Sequence, residues 1–72
     1  MTEPRIASIH AEPGPVFAYA AYMKEASGQD RAVVAIPEGT LSHKWGFRYT
    51  TTLKGEDLNH FLSRGATLVE KP

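Results

Sequence analysis

The sequence predicts a small α+β fold: a two-layer sandwich in the order βαββαβ, with a four-stranded antiparallel sheet and two helices on one face. Three observations predict it. Residues 43–54 alternate apolar and polar side chains, the pattern of a strand half-buried in a sheet. Residues 15–27 and 56–64 are each followed by a glycine where a helix C-terminal cap belongs, and each opens on residues favoured in a first helical turn. Short runs rich in β-branched residues fall before, between and after them. With 72 residues, the chain is read as one domain with an ordered core from about residue 5 to 70.

The first strand reads from Arg5 to Glu12 and is stopped by Pro13-Gly14-Pro15. Ile6 and Ile9 are three apart and fall on opposite faces, which suits an inner or bulged strand. The first helix reads from Pro15 to Ser27. Proline is favoured at a first helical position, and Gly28 sits where the chain must leave the helix. Ala18, Ala20, Ala21 and Ala26 favour helix and contribute little to a strand. Lys24 lies in the last turn, where a cation complements the helix dipole. A competing reading exists, because Phe17, Tyr19, Ala21 and Met23 also alternate. It makes this segment a hairpin turning at residues 27–30 and gives a curved antiparallel sheet with a single C-terminal helix.

Arg31 to Pro37 contains Ala-Val-Val-Ala-Ile and reads as a strand ended by Pro37-Glu38-Gly39. Thr40-Leu41-Ser42 reads as loop. In the strand over 43–54, Trp45, Phe47, Tyr49, Thr51 and Leu53 share one face, and Lys44, Gly46, Arg48, Thr50, Thr52 and Lys54 share the other. Strands 31–37 and 43–54 are expected to form a hairpin. Glu56 to Arg64 reads as a short helix with Leu58, Phe61 and Leu62 as its apolar stripe. Ala66 to Glu70 closes the sheet. This order of elements matches a split-βαβ, ferredoxin-like sandwich, whose usual strand order places strands one and three in the centre.

Composition narrows the function classes. The chain has no cysteine, so disulfides and thiolate metal sites are excluded, and a reducing cytoplasm suits it. Formal net charge is zero, so no general attraction to nucleic acid or anionic membrane is expected. The start of the chain, Met1-Thr2-Glu3-Pro4-Arg5, carries an acid and no apolar signal core, which argues against secretion. No uncharged run approaches the roughly 20 residues that span a bilayer.

The most informative stretch is Val16-Phe17-Ala18-Tyr19-Ala20-Ala21-Tyr22-Met23, which carries no charge. As a helix it is apolar on every side. Val16, Ala20 and Met23 form one stripe with Tyr19 on its edge, while Phe17, Ala21 and Tyr22 point elsewhere. An amphipathic helix buries about a third of its circumference, so one sheet cannot cover both groups. Tyrosines bury their rings while keeping their hydroxyls wet, as interface residues do. The sequence therefore predicts a non-enzymatic protein-contact module or modulator, with Phe17, Tyr19, Tyr22 and Met23 as partner-binding residues and a homodimer as the commonest resolution.

The alternative is single-stranded nucleic-acid binding through the strand 43–54. Burying the Trp45-Phe47-Tyr49 row contributes about 1.5–3 kcal/mol per side chain, so these rings are expected to face the helices. Lys44, Arg48 and Lys54 then lie on the open face as a candidate contact for an anionic partner. The expected topology resembles the RNA recognition motif, whose third strand carries a basic-Gly-aromatic-small-aromatic signature. Here Lys44-Trp45-Gly46-Phe47-Arg48-Tyr49 displaces the glycine and the aromatics, and Ile6 to His10 supplies no Phe, Tyr or Trp, so that family is not assigned.

No catalytic, cofactor or metal signature stands out. His10, His43 and His60 lack the close spacing of metal ligands. Ser42 and His43, adjacent in an extended chain, point to opposite sides and do not make a nucleophile–base pair. Glu56, Asp57 and His60 have the spacing of helix-stabilising pairs. The glycines at 14, 28, 39, 55 and 65 fall at turns and caps, Gly46 lies inside the strand 43–54 as the mark of a bulge or a close backbone approach, and none builds a phosphate-cradling loop.

Overall fold

Pro13 and Pro15 begin the first helix, where their missing N–H groups are orphans in any case. The structure, a computed structural model, describes residues 6–71. Its elements are β1 (Ile9–His10), α1 (Pro13–Ser27), β2 (Arg31–Ala35), α2 (Leu41–Lys44), β3 (Tyr49–Leu53), α3 (Glu56–Ser63) and β4 (Thr67–Val69). This is a small α+β domain with one four-stranded antiparallel sheet and three helices. The helical reading of 15–27 holds, so the single-helix alternative is discarded. Gly28 ends α1 with φ 71°, a left-handed conformation that costs glycine no Cβ clash, and donates its N–H to the Lys24 carbonyl at 3.0 Å.

Three expectations need correction. First, strand one is reduced to Ile9–His10; Arg5 lies outside the described residues. Second, the expected strand 43–54 begins only at Tyr49. Thr40 is the N-cap of α2: its Oγ accepts from the His43 N–H at 3.3 Å and donates to the Pro37 carbonyl at 2.8 Å. The turn closes when Trp45 N–H donates to the Leu41 carbonyl at 3.0 Å, and Gly46, at φ 97°, redirects the chain. The β-branched run Thr50-Thr51-Thr52 supports a strand, whereas the residues before it follow a capping threonine and contain a left-handed glycine. The expected hairpin survives as the β2–β3 pair, with Val33 opposite Thr51, but its connection contains a helix.

Third, the strand order is β1-β3-β2-β4, so β3 and β2 form the centre and β1 becomes an edge. This departs from the order expected of a ferredoxin-like sheet. It also moves the helices. β1 and β2 run parallel with β3 between them, and β3 and β4 run parallel with β2 between them. Both crossovers step the same way across the sheet, along opposite strand directions. Right-handed connections then put α1 and α3 on opposite faces.

The register agrees. Cross-strand partners share a face, which sorts Arg31, Val33, Thr51 and Val69 to one side and Ala32, Val34, Thr50, Thr52 and Ile9 to the other. The Arg31 guanidinium lies 5.6 Å from the centroid of the Tyr19 ring, so α1 covers the first side. Phe61 of α3 lines a groove with Ile9 and Thr50, so α3 covers the second. The expected pair of helices on one face is thereby replaced by a helix on each. The central strands show the result: Ala32, Val33 and Val34 are consecutively buried, and so are Thr51 and Thr52. Val16 of α1 and Val34 of β2 are fully buried. Thr51 accepts from Arg31 Nε at 3.1 Å, and Thr52 donates to the Leu53 carbonyl at 3.2 Å. No buried polar side chain among the described residues lacks a partner. No described helix is long and apolar enough to cross a membrane.

Candidate partner-contact surfaces

On α1, Val16 points straight into the sheet, and the helix packs across β1, β3 and β2. Met23 and Ala20, on the same stripe, are half-buried. Tyr19 is also half-buried, its ring under the Arg31 guanidinium. Arg31 is further held by Gln29, with Nη1 donating to Oε1 at 3.0 Å. A cation over an aromatic face contributes about 0.5–1 kcal/mol at a partly exposed site. Phe17 is half-buried on the flank toward β4, where with Ala20, Val33 and Val69 it lines a groove of about 290 Å³. Tyr22 stands out from the molecule, 53% exposed, beside the exposed Ala21. The four residues singled out from sequence thus divide: Tyr19 and Met23 flank the buried stripe, Phe17 borders a groove, and Tyr22 faces outward.

The expected cationic row does not form one strand face. Lys44 ends α2, Arg48 precedes β3, and Lys54 follows it. Lys54 reaches Asp30 at 3.2 Å, and Lys24 reaches the same carboxylate at 3.5 Å. The Lys54 ammonium hydrogen-bonded to Asp30, with the charge of Lys24 beside it, holds that carboxyl below its ordinary range. Lys54 is therefore part of a surface charge cluster at the far end of β3. Lys44 and Arg48 form no ion pair among the described residues.

The aromatic row is also dispersed. Only Tyr49 joins the sheet, half-buried on the α1 side. Trp45 is 71% exposed and Phe47 39%, so these rings do not face the helices as expected. With the row broken by α2, the sheet fills both faces from its valines and threonines instead. The face expected to be open, carrying Thr50 and Thr52, lies under α3. Sequence reasoning missed Leu41, 65% exposed next to Trp45 on the same turn. The available signal was Thr40 three residues before His43, the spacing of a capping threonine.

The three histidines sit on β1, α2 and α3, and no group of three or more metal-ligating side chains gathers among the described residues. Ser42 lines the groove beside α3, while His43 lines a different hollow with Leu41 and Lys44. Glu56 and Asp57 occupy the first turn of α3, where acids complement the dipole. Compared with known proteins, the chain matches no family model, no curated protein and no solved structure.

Proposed function

We propose that this chain is a small, cytoplasmic, non-enzymatic protein-contact module that self-associates through α1, with Phe17, Tyr19, Tyr22 and Met23 at the contact. One observation carries the reading: a helix whose residues 16–23 are uncharged around the whole circumference packs on the sheet along one stripe, leaving Tyr22 and Ala21 outside. Apolar surface of this kind is favourable to cover, at about 25 cal/mol per Å². A two-fold α1–α1 contact covers it on both copies at once. Size-exclusion chromatography with light scattering tests this. The wild type is expected to run at twice the 7.9 kDa protomer mass, and Tyr22→Glu at the protomer mass with an unchanged circular dichroism spectrum. A wild type that stays monomeric at every concentration overturns the reading.

The single-strand nucleic-acid alternative keeps exposed Trp45 and Phe47 and the cations Lys44 and Arg48, but on a turn in place of a strand. It predicts salt-dependent oligonucleotide binding lost on changing Lys44 and Arg48.

A further inference from the structure

The two most exposed large apolar side chains among the described residues, Trp45 and Leu41, lie on α2 and the residue after it, with the exposed Phe47 close behind. Leu41, Trp45 and Phe47 fall within seven residues, and the segment that carries them is closed by hydrogen bonds. Trp45 N–H donates to Leu41 O at 3.0 Å, so these side chains, four apart, share one side of the turn. Gly46 N–H donates to His43 O at 3.0 Å, and Phe47 N–H returns to Ser42 O at 2.9 Å. Rings held out on a closed turn lose less freedom on binding than rings on a loose loop.

The same segment is cationic. From Gly39 to Gly55 there is no carboxylate, while Lys44 and Arg48 stand within it without an ion pair among the described residues. Glu38 precedes the segment, and β1, whose His10 carbonyl accepts the Arg48 N–H at 3.1 Å, is followed by Glu12. Neither acid pairs with Lys44 or Arg48. The site therefore combines exposed apolar seats with positive charge that forms no ion pair among the described residues.

We propose that the α2 turn docks an acidic protein segment bearing large apolar side chains, seated on Leu41, Trp45 and Phe47 and held by Lys44 and Arg48. Charge complementarity chooses an acidic occupant. A protein is favoured over nucleic acid because Leu41 offers a base no stacking face and fits an aliphatic or aromatic anchor well. Two cations also neutralise few phosphates, and phosphate neutralisation dominates nucleic-acid affinity. This surface is separate from α1 and is independent of self-association there.

Trp45 is the only tryptophan, so its emission reports on this site alone. The probe is a synthetic peptide of about 15 residues, rich in Asp and Glu with Leu and Phe anchors, an ordinary length for a groove-binding segment. Its control has every acid replaced by lysine, and a thymidine oligonucleotide of similar length is the third arm. The acidic peptide is expected to shift Trp45 emission to the blue and saturate, with affinity falling as salt rises. The lysine peptide is expected to leave the emission unchanged. Lys44→Glu with Arg48→Glu is expected to weaken acidic-peptide binding about tenfold. Tyr22→Glu is expected to retain it, which separates this proposal from the α1 reading. Should the double variant not fold, the salt dependence and peptide-charge selectivity of the wild type still decide. No shift with the acidic peptide at low salt, an equal shift with the lysine peptide, or saturation by the oligonucleotide at lower concentration overturns the proposal.

Discussion

Val16 and Val34 are modest in size but wholly enclosed, one on α1 and one on the opposite side of β2. Truncating a buried aliphatic side chain removes its transfer energy and leaves a cavity, so Val34→Ala is expected to cost about 2 kcal/mol. A 72-residue domain has roughly 4–11 kcal/mol in total, so this is a substantial loss. Trp45→Ala removes far more atoms, yet it is expected to change stability by no more than about 0.5 kcal/mol, because that side chain lies mostly in water. Urea unfolding of the two variants checks the contrast; a larger loss for Trp45→Ala means the ring is packed in solution. Asp30 makes a pH prediction. Lys54 and Lys24 lower its folded pKa, so its contribution is present above the unfolded value and disappears as pH falls through the folded one. Melting temperatures of wild type and Asp30→Asn are therefore expected to differ at neutral pH and converge in strong acid. The buried valines were legible from an apolar run, but the fate of Trp45 was not. Alternation alone cannot say whether a large ring packs or projects.

At the scale of elements, the helices were legible wherever caps and composition agreed. Proline at the start, alanines within and glycine at the end specify α1, and Glu56, Asp57 and Gly65 bracket α3. The strand over 43–54 failed because two local signals competed. Period-two alternation argued for a strand, while Thr40 as a cap and Gly46 as a left-handed residue argued for a turn, and the hydrogen bonds of that turn prevailed. Thr40→Ala removes both the cap of α2 and the tie to Pro37, and is expected to cost about 1 kcal/mol. Faster amide exchange at His43, detected by hydrogen–deuterium exchange, is the accompanying local sign. Unchanged exchange there means the turn stands without its cap.

For the whole molecule, the α+β class and the antiparallel sheet were legible from the order of elements, but the placement of layers was not. Strand order depends on which edges meet, and the opposite-face pattern of Ile6 and Ile9, read as an inner or bulged strand, belongs to a segment that ends at the sheet edge. Exchanging the places of β1 and β2 relative to the expected order is enough to send α3 to the other face. The consequence for function is that both sheet faces carry helices, so candidate contacts fall on α1 and on the α2 turn. On α1, where residues 16–23 carry no charge, the outward aromatic is Tyr22. Isotope-filtered NMR on a mixture of labelled and unlabelled protein reads an α1–α1 contact between copies without ambiguity. Intermolecular contacts between the Tyr22 ring of one protomer and α1 of its partner are expected to appear as concentration rises. Sharp monomer spectra at millimolar concentration, with no intermolecular contact at Tyr22 or Phe17, would contradict it.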